Sequence, residues 1–371
     1  MPALCRGLVR AGAEVTVVTT TANGEAELDV PLGLGVGVDR GGVRVFYFRR
    51  GRPKGFYRAR GLAAACTKLA RSHDVVHITG LWAHPGMAAA AAARRAGVPY
   101  IISPRGMLMP WALGYHGWKK RPVYLLSERR RLRAAAAIHC TGEDERVAVH
   151  ALGLGATAFV VPNGLDPAEF ERLPPRETAR RMLGIPGDAR VVLFLGRLHR
   201  KKGIERTLEA FAIVAETRPD VHLLMAGPSE QGYHGLIGAW AREHRLADRI
   251  QLPGELRGER RLAALAAADV FVLLSQSENF GMGVAEAMAC GVPVVVTPGV
   301  GIAKAVERTG AGVVVDGGPR QAAEALASLL GDEQRRRAMG AKGRGLLQTE
   351  FSVDAVSREM LGWYEEIVSG G

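Results

Sequence analysis

Two stretches about eighty residues apart carry the side chains best suited to chemistry. The first runs Gly196-Arg197-Leu198-His199-Arg200-Lys201-Lys202-Gly203, directly after the apolar run 191–195. A glycine at a strand end lets backbone approach a ligand. A guanidinium forks two hydrogen bonds onto phosphate oxygens, and an ammonium adds a mobile point charge. Arg197 and Lys202 can together hold a departing diphosphate. The second stretch, Glu278-Asn279-Phe280-Gly281-Met282-Gly283-Val284-Ala285-Glu286, sets two carboxylates eight positions apart around a glycine turn that opens a helix. Free amides at a helix start attract anions, and carboxylates accept hydrogen bonds from vicinal hydroxyls of ribose and hexose rings. Alone, the first stretch reads equally well as a solvated basic turn, and the second as a chance pair of acids. Together they form a cradle for a sugar nucleotide.

The elements around them have the rhythm of parallel sheets covered by helices. In the first half, strands are expected at 15–19, 43–48, 75–78, 100–103, 137–140 and 158–161, with a helix at 86–96 stopped by Gly97. In the second half they fall at 191–195, 222–226, 250–252, 270–273, 294–297 and 312–315, with helices between them. The turn Pro162-Asn163-Gly164-Leu165-Asp166 and the charged stretch after it mark a boundary. The expected fold class is α/β, two doubly wound domains facing across a cleft. The expected domains are 1–165 and 166–350, with a final amphipathic helix in 351–371. The chain opens on a helical pattern that already leads into a strand, so the first strand of the amino-terminal domain is expected to be missing.

Composition narrows the class further. The 371 residues suffice for two ordinary cores, and no apolar run reaches the eighteen or so residues that span a bilayer. The first ten residues lack the basic-then-apolar design of a secretory signal. Four scattered cysteines with no CxxC give neither a disulfide framework nor a zinc site, which suits a cytoplasmic chain. Residues 1–170 hold 23 Lys and Arg against 12 Asp and Glu, whereas residues 171–371 hold 26 against 25. Such asymmetry reflects either an anionic partner or a general preference for arginine. The clusters Lys119-Lys120-Arg121 and Arg129-Arg130-Arg131 with Arg133 favour the partner, for example a phospholipid surface. Nucleic acid is disfavoured, because the clusters lack aromatic interleaving or a known binding motif. No Asp-x-Asp and no GxxxxGK[ST] occurs, so a metal-dependent transferase site and a Walker loop are both disfavoured.

On these residues the chain resembles the family 4 retaining glycosyltransferases of GT-B fold, essentially from end to end. The Glu-x7-Glu motif matches at Glu278 and Glu286, the Gly-Arg-Leu…Lys-Gly loop at Gly196, Arg197, Lys202 and Gly203, and the interdomain turn at 162–166. The resemblance implies that Arg197 and Lys202 bind the diphosphate and Glu286 the ribose. It gives the donor sugar to Glu278 with the amides of Phe280, Gly281 and Met282. Gly196 and Gly283 line the same site, and the loop 252–256, ending at Leu256, meets the base largely through backbone. It implies no resident cofactor and no metal, a nucleoside diphosphate sugar as co-substrate, and a final helix that crosses back onto the first domain.

The acceptor is expected in the first domain. Ser103-Pro104-Arg105-Gly106-Met107 resembles a family loop that nears the transferred sugar, but Arg105 stands where many relatives carry histidine. His84 is a second candidate there, although a lone histidine is more often structural. Thr141 and Glu143, after the strand at 137–140, read as acceptor-side groups or, preferably, as helix caps. The resemblance implies retaining hexosyl transfer to a hydroxyl. The basic clusters of the first half fit peripheral attachment to an anionic membrane face and a glycan or lipid-diphosphate-linked acceptor, which would place the chain in surface polysaccharide synthesis. The main rival is a catalytically inactive sugar-nucleotide-binding relative. A pyridoxal phosphorylase and a dinucleotide oxidoreductase each lack their motif.

Overall fold

A computed structural model describes the whole chain except residues 1, 24, 25, 29, 31–33, 116, 231, 317 and 371. The chain divides into two compact units, one of residues 1–164 with 353–371 and one of residues 165–352.

The first unit contains α1 (Pro2–Arg10), β1 (Thr16–Thr20), β2 (Ala22–Asn23), β3 (Ala26–Glu27), β4 (Gly37–Asp39), β5 (Arg44–Phe48), α2 (Leu62–Ala70), β6 (Val76–Thr79), α3 (His84–Ala96) and β7 (Tyr100–Ser103). A helical run then passes through α4 (Pro110–Gly114), α5 (Gly117–Val123), a π turn (Tyr124–Glu128) and α6 (Arg129–Arg133). After it come β8 (Ala137–Cys140), α7 (Glu143–His150) and β9 (Thr157–Val160). The strands form two main sheets. One has the order β1-β5-β4, with β4 antiparallel; the other, β6-β7-β8-β9, is parallel throughout. Among the described residues β1 pairs only with β5, and β6 only with β7. Every residue of β7 and β8 is buried, as expected of strands covered on both faces.

The second unit is one six-stranded parallel sheet ordered β12-β11-β10-β13-β14-β15. In chain order it runs α8 (Arg176–Leu183), β10 (Arg190–Leu195), α9 (Ile204–Thr217), β11 (Val221–Ala226), α10 (Tyr233–Glu243), β12 (Ile250–Gly254), α11 (Gly258–Ala267) and β13 (Val270–Leu273). It continues with α12 (Met282–Ala289), β14 (Val294–Val296), α13 (Ala303–Thr309), β15 (Gly312–Val314), α14 (Pro319–Gly331) and α15 (Glu333–Thr349). Phe194, Phe211 and Phe271 lie fully inside its core. Each such ring contributes roughly 1.5–3 kcal/mol relative to exposure. The strand order reverses between β10 and β13, so the loops after these two strands diverge around a crevice where such sheets bind ligands.

The last helix, α16 (Val353–Ser369), packs within the first unit. Trp363 stacks on Phe159 of β9 at 4.4 Å, and Arg10 of α1 pairs with Asp354 at 2.7 Å.

Candidate functional site

Both chemical stretches lie at the carboxyl-terminal end of the second unit's sheet. After β10 the chain makes a single turn, Arg200–Lys202, capped by His199, whose Nδ1 accepts from the amide of Lys201 at 3.0 Å. Gly203 then enters α9 at φ +70°, and a Cβ there would overlap the carbonyl oxygen of Leu274. This close approach brings the loop after β10 against the loop after β13. The carbonyl of Lys201 accepts from the hydroxyl of Ser275 at 2.9 Å and from the amide of Gln276 at 3.0 Å.

The second loop is fixed from its other side as well. The amide of Glu278 donates to Gly299 at 2.7 Å, and the carbonyl of Glu278 accepts from Gly301 at 2.9 Å. Gly281, at φ +104°, is the N-cap of α12, and Gly283 packs so that a Cβ would lie 2.5 Å from the carbonyl oxygen of Leu195. Only glycine allows the start of α12 to sit directly on the end of β10. The first amides of α12 have no acceptor within the helix, so they present donors and the positive end of its dipole.

Lys202 and Glu278, 76 positions apart, form an ion pair in this crevice, both side chains mostly buried. Glu286 lies one turn into α12 and is buried, with Arg261 of α11 3.4 Å from its Oε1. Burial raises its carboxyl above the usual range; Arg261 opposes the shift and Glu169 adds to it. Lys201 sits beside this pair with its ammonium pushed down by burial, an effect that Glu278 opposes.

Arg197 pairs with Glu230 at 2.9 Å, and its side chain is 63% exposed. Phe280 is a core ring set edge-on to Phe351 at 5.5 Å, and Leu256 is also buried, so each can offer a ligand only backbone. Met282 is exposed at the mouth of the glycine turn. The amide of Gly196 donates to Ala226 at 2.9 Å, continuing the sheet ladder into the loop.

The first unit has its own polar cluster at the ends of β6, β7 and β8. Arg105 occupies the left-handed region at φ +55° and donates to the side-chain oxygen of Asn163. Trp82 is left-handed too, at φ +67°. Backbone strain of about 1–3 kcal/mol at each position is tolerated where surrounding contacts dictate it. His84 opens α3, edge-on to Phe56 at 5.9 Å, and its Nδ1 has no partner among the described residues. Burial and the charge of Arg58 lower its pKa. Ser103, fully buried at the end of β7, also has an unpartnered hydroxyl.

Thr141 is not the cap of α7. The N-cap is Gly142, without a side-chain cap hydrogen bond, and the carboxylate of Glu145 accepts from the amide of Thr141 at 2.8 Å and also from Gly106. Glu145 thereby ties the Arg105 loop to β8, and its position three residues past the N-cap Gly142 marks it as a reaching-back acid. Glu143 faces Arg146 at 2.5 Å, with both side chains about half exposed. Among the described residues, no group of three His, Cys, Asp or Glu is arranged to hold a metal ion.

Two family models match the chain: glycosyl transferases group 1 over residues 175–346, and a glycosyl transferase 4-like domain over residues 1–164. The D-inositol 3-phosphate glycosyltransferase of Thermobispora bispora is 39% identical over 45% of this chain, a match spanning only 41% of that relative's length. The protein of the same name from Thermomonospora curvata is 32% identical over 73% of this chain and 68% of its own. The HepE protein of Anabaena, solved in complex with UDP and glucose, superposes with a TM-score of 0.77 at 20% identity, covering 98% of this chain and 95% of that chain. At that identity the likeness speaks for the fold: two doubly wound domains.

Proposed function

Because the chain belongs to the glycosyl transferases group 1, we propose that it transfers a hexosyl group from a nucleoside diphosphate sugar to a hydroxyl acceptor, with retention of anomeric configuration. The observation that carries this reading is the Lys202–Glu278 pair beside the amino terminus of α12. A diphosphate that meets the ammonium of Lys202 and the free amides of α12 brings its sugar to Glu278. Its ribose hydroxyls then reach toward Glu286. Arg197 joins the diphosphate at little expense, since its exposed pair with Glu230 is of a kind that contributes about 0–1 kcal/mol.

The anomeric carbon–oxygen bond breaks, and its electron pair leaves with the diphosphate. Lys202, Arg197 and the helix amides stabilise that charge, a task these groups can perform without a metal ion. The acceptor oxygen bonds to the anomeric carbon on the same face. Its proton passes to the departing phosphate oxygen, so no enzymic nucleophile is required. The UDP bound by the Anabaena neighbour supports a uridine donor.

For the acceptor we favour a lipid-diphosphate-linked glycan at an anionic membrane face, in surface polysaccharide synthesis. The support is the charge excess of residues 1–170. The names of the curated relatives favour a second reading, in which a soluble inositol phosphate is the acceptor. Incubating donor with each acceptor class and reading the product anomer by NMR tests both. An axial donor linkage that becomes equatorial in the product would overturn the retaining assignment.

A further inference from the structure

The amino-terminal end of the second unit's sheet, opposite the crevice, holds a separate cavity of about 340 Å³. Its wall is built where three strands begin. Arg190 is the first residue of β10, Asp269 directly precedes β13, and residues 291–293 lead into β14. The helix α8 adds Arg176, and α15 adds Glu333, Arg336 and Arg337. A strand rises about 3.3 Å per residue, so the six residues of β10 set this cavity roughly 20 Å from the loop that follows them.

The charges of the wall do not balance. Four arginines line it against two carboxylates, and both carboxylates are already engaged. Glu333 pairs with Arg337, while Asp269 is shared among Arg176, Arg180, Arg190 and Arg336, all within 3.7 Å. Arg180 and Arg336 are buried, and Nε of Arg180 has no partner among the described residues. Burial depresses the pKa of both guanidiniums; Arg176 and Arg190 add to the depression, and Asp269 opposes it. Like charges gathered in this way repel, and an anion in the cavity would relieve that repulsion. Three of the arginines remain within reach of a solute: the side chains of Arg176, Arg190 and Arg337 are 43%, 36% and 79% exposed.

We propose that this cavity binds a compact phosphate-bearing anion of two or more charges, such as pyrophosphate, through forked hydrogen bonds from Arg176, Arg190 and Arg337. Planar guanidiniums meet phosphate oxygens in pairs, and an excess of two arginines over the carboxylates of the wall matches the charge of such an anion. The volume lies at the small end of the roughly 300–1,000 Å³ usual for ligand sites, which suits an inorganic phosphate chain or a small phosphate ester better than a whole sugar nucleotide.

The test is calorimetric titration of the full chain with pyrophosphate, orthophosphate and, at matched ionic strength, sulfate. Three proteins are compared: wild type, Arg176→Gln/Arg337→Gln, and Lys202→Ala, which removes an ammonium from the other crevice. Pyrophosphate should bind wild type more tightly than sulfate does, at a site that Lys202→Ala retains. In the arginine double variant that binding should weaken at least about tenfold, with an unchanged circular dichroism spectrum as evidence of an intact fold. Arg337→Gln alone, at a highly exposed side chain, should weaken binding to a lesser degree and serves if the double variant does not fold. Pyrophosphate binding that is lost in Lys202→Ala and kept in the arginine variants would put the anion in the donor crevice and overturn the proposal. So would the absence of pyrophosphate binding, or equal affinities for pyrophosphate and sulfate. No arm of the test requires sugar transfer, so failure of the proposed function and failure of this site are read separately.

Discussion

The ammonium of Lys202 donates to Oε2 of Glu278, joining the loop after β10 to the loop before α12. The pair links a group suited to phosphate with a group suited to sugar hydroxyls, as a sugar diphosphate itself would. Lys202→Ala should therefore lower kcat by about 10²-fold or more, the scale of a lost donor to a departing oxyanion. Glu278→Gln should lower kcat also. Steady-state turnover near the wild-type value in Lys202→Ala would remove this lysine from the chemistry.

Glu286 carries a stability penalty with its proposed role. Burial raises its carboxyl in the folded state, so its contribution is most favourable below the unfolded value of 4.5 and declines as pH rises through the folded value. Glu286→Gln should raise the melting temperature at neutral pH, and the gain should vanish below the unfolded value. Donor affinity should fall in the same variant. Thermal scans across pH together with donor titration test this, and an unchanged donor affinity would contradict the ribose role.

Asp269, buried before β13, is the hub of an arginine cluster at the opposite end of the same sheet. It accepts from the amide of Val191 at 2.8 Å and lies 2.6 Å from Arg176, 3.3 Å from Arg180, 3.4 Å from Arg190 and 3.7 Å from Arg336. Arg180 and Arg336 are themselves buried. Removing the acid leaves guanidiniums uncompensated, so Asp269→Ala should cost about 3–5 kcal/mol in chemical denaturation. A loss below about 1 kcal/mol would show that water replaces the carboxylate.

A chain of neutral side chains fastens α16. The carbonyl of Val161 must accept from Nε2 of His139 at 2.7 Å, which leaves Nδ1 of His139 to accept from Nε2 of His77 at 3.3 Å. Nδ1 of His77 then accepts from the hydroxyl of Tyr364 at 2.6 Å. Burial depresses both histidines, His139 to about 3, and raises the Tyr364 phenol. The unfolded chain protonates first on acidification, so stability should fall as pH drops from 6.5 toward 3. The fall should be shallower in His139→Gln, and Tyr364→Phe should cost about 1–3 kcal/mol at neutral pH. Equal pH slopes in wild type and His139→Gln would contradict the network.

The strands were legible because continuous apolar runs such as 191–195 and 270–273 become parallel strands, buried over 191–194 and 270–273. The glycine turn at 281–283 was legible for the same kind of reason: Gly281 takes a positive φ and Gly283 meets the backbone of Leu195. Long-range polar partners were not. Nothing local in the sequence pairs Arg197 with Glu230, brings Glu145 to the amide of Gly106, or aligns His77 and His139 with Tyr364. The helix α15 escaped notice because Gly340 and Gly343 break its apolar pattern. Those glycines let it pack against the backbone of Gly291 and the side chain of Met288. The run 110–133 was legible only as charge, since Trp118, Leu125 and Leu126 are exposed and Pro122 interrupts it just before the π turn.

The most direct test of the central claim is calorimetric binding and hydrolysis of UDP-, GDP- and ADP-sugars by the wild-type chain and by Lys202→Ala, in the presence of a chelator. The account predicts selective binding of one donor, slow sugar release that survives chelation, and loss of that release in Lys202→Ala. Absence of binding to every donor, or equal release by the two proteins, would contradict it.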